Sequence, residues 1–309
     1  MASGGSLFVR TRRPWFDLHD ETEASPHVAI LGLPFDGSAS LKSGAAQAPA
    51  RLRAISKTSD AIDRRGRTVG GVTVRDFGDV AVEDPSGRPR TQTEYLQAAA
   101  TALEALPDSS FVLALGGDNS VGIPCLRRFA RRHGAGAGVI WFDAHPDLFE
   151  SYDGNPDSHA CALRRAMTLA GLPPERIVLL GTRSFSAGET RFIQEQRIDV
   201  ITAAEWWSLA PDVVVDRIAA RLGGLSAIYL SIDIDGFDAS CAPGTGYPMP
   251  GGPSAAMVLA VLEGLFARLP IRAMDITEIA PPLDTNDITS FLGAQIVLET
   301  LGAIAARRT

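Results

Sequence analysis

The sequence predicts an α/β protein, a single three-layer αβα domain around a mainly parallel, doubly wound sheet. Two patterns carry that expectation. Short apolar runs end in turn or acidic residues, and helical stretches separate most of them, which is the alternation of a parallel sheet covered on both faces. Length agrees, since 309 residues with 45% apolar content can bury one large core. The domain is expected over residues 27–309, with residues 1–26 as an N-terminal extension.

In chain order, the expected strands are residues 28–34, 111–116, 138–143, 176–181, 199–202, 227–233 and 272–276. Each is a continuous apolar run of strand length, as a strand buried on both faces requires. The expected helices are residues 91–106, 123–133, 189–196, 212–222, 254–269 and 288–307, which alternate with the strands in βαβα order. Residues 84–90 form a Pro- and Gly-containing linker that precedes a helix without dividing two cores. The Gly-rich run 134–138 precedes its strand, whereas a dinucleotide site needs glycines after the strand and opening the helix.

Composition excludes several classes of partner. The 36 acidic side chains outnumber 29 basic ones for a net charge of −7, which argues against a nucleic-acid groove. Arg12-Arg13, Arg64-Arg65, Arg127-Arg128 and Arg131-Arg132 are short runs and read as solvated faces. The apolar runs break before the length of a membrane span, and no partner membrane is expected. Cys125, Cys161 and Cys241 are far apart and form neither a disulfide framework nor a zinc knuckle, so a reducing cytoplasm is the expected location.

Three strand ends carry the chemistry: Gly116-Gly117-Asp118-Asn119-Ser120, Asp143-Ala144-His145-Pro146-Asp147, and Asp233-Ile234-Asp235-Gly236-Phe237-Asp238. Side chains two apart on a strand share a face, so Asp143 with His145, and Asp233 with Asp235, project together. Carboxylates gathered at the end of a buried sheet repel unless paired or metal-bound, and oxygen donors with one imidazole suit Mn²⁺ or a similar divalent ion.

These motifs, in this order and spacing, resemble those of the ureohydrolase family of arginases, agmatinases and related amidino hydrolases. Gly32-Leu33-Pro34-Phe35-Asp36, Asp76-Phe77-Gly78-Asp79-Val80, Gly181-Thr182-Arg183 and Ala242-Pro243-Gly244-Thr245-Gly246 extend the likeness along most of the chain. His145-Pro146-Asp147-Leu148-Phe149, Gly154-Asn155 and Ser158-His159-Ala160-Cys161 look most like the agmatinase branch, including relatives that hydrolyse guanidine or biguanides. The resemblance implies an arginase-like fold and two divalent ions, Mn or Ni, with Asp143 and Asp233 bridging, His145 and Asp235 completing one, and Asp147 on the other. It implies hydrolysis of a guanidino C–N bond by water that the ions activate, with His159 as proton shuttle and Glu278 pairing the substrate guanidinium. Trimers or hexamers, of this chain or with a paralogue, are also implied.

Two positions depart from the family pattern. Ala239 stands where the family usually has Pro. Asn119 stands where most members have a metal-binding histidine, so it is at best a weak ligand, and the site holds two ions, one ion, or has lost turnover. The alternative reading is therefore a weakly active or non-catalytic subunit that assembles with an active paralogue. Substrate-tail residues are expected between the metal motif and His159, at Asp153, Asn155 and Asp157 with Glu150, where acids favour a small cationic guanidino substrate such as agmatine. His19, His27 and His133 match no motif and are expected at the surface.

Overall fold

A computed structural model describes residues 12–308; the first eleven residues of the expected N-terminal extension lie outside the described residues. Eight strands form one sheet in the order β2-β1-β3-β8-β7-β4-β5-β6: β1 Val28–Leu33, β2 Val74–Asp79, β3 Phe111–Gly116, β4 Ala137–Phe142, β5 Ile177–Thr182, β6 Asp199–Thr202, β7 Ala227–Asp233 and β8 Ile271–Thr277. Every pairing between these strands is parallel. The chain leaves β1 and β7 toward one edge of the sheet and β3 and β4 toward the other, and ligands of open α/β sheets bind where strand ends diverge in this way.

The helices are α1 Ala48–Ile55, α2 Gln92–Glu104, α3 Gly122–His133, α4 Ala162–Ala170, α5 Ala187–Gln196, α6 Ala203–Trp206, α7 Pro211–Leu222, α8 Ala255–Arg268 and α9 Ile288–Ala306. Alternation along the strands sends Val28 and Ile30 into a core shared with α1, α7, α8 and α9. Ala29, Leu31 and Leu33 point into the opposite core, shared with α2, α3, α4 and α5. That is the three-layer arrangement expected from the alternating pattern.

Four elements were not anticipated, β2, α1, α4 and the single-turn α6. β2 has the sequence Val-Arg-Asp-Phe-Gly-Asp and lies at the sheet edge, half-buried, so it lacks the apolar run that marks interior strands. α1 opens on Pro49, suited to a first helical turn, and buries only Leu52 and Ile55 beyond its first turn. α4 buries Leu163, Ala166 and Met167 and stops at Gly171 in the left-handed conformation. A further correction concerns α9, which is long and apolar enough by length and composition to cross a membrane; its Leu292, Ile296, Val297 and Leu301 instead pack in the core.

The segment before β1 is part of this packing. Trp15 is fully buried, and its indole donates to Asp76 Oδ2 on β2 at 2.7 Å. His19 makes a parallel bridge to Val74, and its Nδ1 accepts from the Asp76 amide at 3.1 Å. His19 is therefore buried, contrary to the surface position expected for it, while His27 and His133 are partly buried. The bridge also covers part of an edge that would otherwise offer open hydrogen-bonding groups. Trp15→Ala is expected to lower stability by about 3–5 kcal/mol in urea unfolding. A loss below about 0.5 kcal/mol, the scale of a surface change, would place this segment outside the cooperative core.

Candidate metal centre

Four neighbouring strands, β3, β8, β7 and β4, deliver the functional side chains from their carboxyl ends. β3 runs into Gly117, where an added Cβ would lie 1.9 Å from the Phe35 carbonyl oxygen, so only glycine lets the two segments pass. Asp118 is occupied by local structure, accepting from the amide and hydroxyl of both Ser38 and Ser120. Asn119 then projects inward, 1% exposed. Asp147 and Glu278 both sit at positive φ, 52° and 64°. Such backbone costs energy and is retained where surrounding structure holds it, commonly at functional sites.

The acids converge as the motif spacing predicted. Asp143, His145 and Asp235 bring one candidate ligand atom each within 4.8 Å of one another. His145 Nδ1 lies 3.1 Å from Asp235 Oδ2 and 3.5 Å from Asp143 Oδ1. Asp233 Oδ1 accepts from the Asp235 amide at 2.8 Å. Glu278 Oε1 accepts from the Asn119 amide at 2.9 Å. Arg183 stabilises the turn that carries Asp235, donating to the carbonyls of Asp235, Gly236 and Phe237.

Burial raises the pKa of Asp147, Asp233 and Glu278 well above the ordinary carboxylate value, and the neighbouring acids add to it. Burial and the charge of Asp235 bring Asp143 up to about 6. His145 responds oppositely: burial disfavours its charge, but Asp235 and Asp143 outweigh burial and push it up to about 12. Burial likewise works against the charge on Asp235, yet His145 holds that carboxyl below its usual range. This pocket demands a positive charge, and two carboxylates with one imidazole are a donor set that fits a divalent cation.

The position implied for a second ion differs. Asn119 Nδ2 donates to Asp147 Oδ2 at 2.7 Å and to Asp143 Oδ2 at 3.0 Å, while Thr277 Oγ1 donates to Asn119 Oδ1 at 2.8 Å. Carboxyl oxygens accept from both N–H groups, so the amide turns its donors toward the acids. In this orientation Asn119 directs donor hydrogens, and no lone pair of its own, at the space between Asp143 and Asp147, and this arrangement does not fit a second ion.

A cavity of about 250 Å³ opens over the centre, lined by Asn119, His145, Asp147, Asp233, Asp235 and Glu278, with His159 in the same wall. His159 Nδ1 lies 3.2 Å from Ser158 Oγ and its Nε2 3.4 Å from Ser40 Oγ. Burial lowers its pKa, with nearby Asp118 opposing. The expected tail residues do not reach this cavity. Asp153 is exposed, Asn155 donates to Gln92 Oε1, and Asp157 pairs with Arg165 at 2.7 Å. Glu150 is exposed outside it too. Lys42, Tyr152, Ser184, Glu189 and Tyr247 line it instead. Glu189 had a signal: with Ser186 it forms a capping box at the start of α5, just after the Gly181-Thr182-Arg183 landmark.

An all-parallel αβα protein with an acid-rich, cation-demanding pocket over its central strand ends is the class that fold and site define. The Arginase family's sequence pattern matches residues 26–302, and the chain belongs to that family. It is 31% identical over 306 residues to a guanidinobutyrase of Pseudomonas aeruginosa, covering 96% of this chain and 92% of that protein. An agmatinase of Neisseria meningitidis is 34% identical, with 90% and 87% covered. The solved proclavaminate amidinohydrolase of Streptomyces clavuligerus superposes with a TM-score of 0.85 at 29% identity, covering 95% and 97%.

Metal must displace protons from these raised carboxyls, so Mn²⁺ affinity measured by calorimetry is expected to fall as pH drops from about 8 to about 5. Asp235→Ala is expected to abolish the metal-dependent rise in melting temperature, because a lost ligand removes stabilisation by mass action. A pH-independent affinity, or an undiminished rise in the variant, would take these carboxylates out of the site.

Proposed function

We propose that this chain hydrolyses the guanidino C–N bond of a small guanidinium compound, using one divalent ion, Mn²⁺ or Ni²⁺, at Asp143, His145 and Asp235. The observation that carries the reading is one cavity lined by His145 and Asp235 of this cation-demanding cluster together with Glu278 and His159. A bound divalent ion supplies Lewis acidity that makes water nucleophilic near neutral pH. Water adds to the guanidino carbon, one C–N bond breaks, and a substituted guanidinium with one water yields a protonated amine and urea.

The chain's own residues orient and move protons. Glu278, fixed by the Asn119 amide, presents its other carboxylate oxygen to the cationic guanidinium, and such pairing positions the carbon. Its raised pKa falls when a cation pairs with it. His159, neutral near pH 7 because burial lowers its pKa, accepts a proton from the attacking water and passes it to the leaving nitrogen. Asn119 keeps Asp143 and Asp147 together by hydrogen bonding, where the family resemblance implies a second ion.

Glu150, Asp153 and Asp157 lie off the cavity and so do not read a cationic tail. Away from the cluster, the charged groups lining it are Lys42 and Glu189. Recognition therefore rests on the guanidinium itself. The non-catalytic alternative gains no support from the relatives, which bear the names of amidino hydrolases.

The test is urea and ammonia release from agmatine, 4-guanidinobutyrate and guanidine, by this chain alone with Mn²⁺ or Ni²⁺. Release from at least one compound is expected; none from any, by metal-loaded folded protein, contradicts the proposal. His159→Ala is expected to lower kcat about 10²–10⁴-fold with little change in KM, since proton transfer acts in the transition state. An unchanged kcat would remove His159 from the reaction.

A further inference from the structure

At the opposite end of the sheet lies a second cavity of about 440 Å³, walled by the chain entering β1, β3 and β8 and by the last turns of α3 and α9. Two basic runs expected on solvated faces contribute to it. Arg128, Arg132, Arg272, Arg307 and Arg308 line this cavity against one acid, Asp108, a local charge of +4 in a chain of net charge −7. His27 and His133 lie in the same wall.

The fold uses only some of these guanidinium groups. Arg307 donates to the carbonyls of Phe266, Leu269 and Ile271, and Arg132 pairs with Asp108. Arg128 is 7% exposed, gives one N–H to the Leu106 carbonyl at 3.2 Å, and leaves its Nε without a hydrogen-bond partner among the described residues. The guanidinium groups of Arg272 and Arg308 make no hydrogen bond or ion pair among the described residues. The charges also act on one another: burial, then Arg132, Arg272 and Arg128, lower the pKa of His133, and burial, then Arg308, lower that of His27.

Cations at helix C-termini are favoured by the helix dipole, and this accounts for the last turn of α3. It does not account for Arg272, near the start of β8, or for the unpartnered buried Nε. We infer that this cavity binds a small phosphorylated polyanion, carrying two phosphate groups or the equivalent charge. Guanidinium forks match phosphate oxygens two at a time, and the volume lies within the range of small-molecule sites. Two phosphate monoesters carry about −3 to −4 near pH 7, which balances the local charge, whereas a dicarboxylate leaves about half of it uncompensated.

The test is calorimetric titration of the metal-loaded protein with fructose 1,6-bisphosphate, and with succinate for comparison. Saturable binding of one bisphosphate per chain is expected, with succinate binding at least about tenfold more weakly. The double variant Arg272→Ala/Arg308→Ala removes two unpartnered groups, so it is expected to melt like the wild type, retain urea release, and bind the bisphosphate at least about tenfold more weakly. Arg308→Ala alone, at an exposed chain end, gives the same reading if the double variant is unstable. Absence of saturable binding, equal affinity in the variants, or succinate binding as tight as the bisphosphate overturns the inference.

Discussion

Five carboxyl groups, Asp143, Asp147, Asp233, Asp235 and Glu278, crowd the buried ends of adjacent strands, and the organisation of the site follows from compensating them. The compensation is specific to each acid. His145 stands between Asp143 and Asp235, Asn119 bridges Asp143 to Asp147, a backbone amide binds Asp233, and another binds Glu278. Each partner is charged or hydrogen-donating, so the pocket is poised for a cation. A parallel sheet makes this possible, because all strands end on the same side and their loops converge there.

The same geometry explains what could be read from the sequence. Interior strands are apolar on both faces, and they stop where the acids begin, so both the strands and the metal motifs were visible as abrupt changes in composition. Asp143 with His145, and Asp233 with Asp235, were paired from two-residue spacing alone, and the structure brings them together. The edge strand β2 was missed because its partner on one side is a short bridge from His19 and its residues are largely polar. Burial of Trp15 and Arg128 was illegible, since each depends on contacts with residues distant in the chain. The acids between Asp147 and His159 were misassigned for a related reason. Proximity in sequence placed them near the cavity, but the loop turns at Asp153, in the left-handed conformation, and Arg165 draws Asp157 away.

Asn119 shows how one substitution can change the chemistry of a centre without dismantling it. The residue at this position must satisfy two acids, and an amide does so as a hydrogen-bond donor where a cation would do so by charge. Thr277, at the end of β8, completes the arrangement by donating to the amide oxygen. The acids therefore remain compensated on one side by hydrogen bonds and on the other by His145, which is where an ion fits. Orientation of the amide and the number of ions are thus one question.

Metal content settles it most directly. After loading with excess Mn²⁺ or Ni²⁺ and removal of unbound ion, the account predicts about one ion per chain for the wild type, rising toward two in Asn119→His as a nitrogen donor is restored. Two ions per wild-type chain, or no increase in the variant, would contradict it.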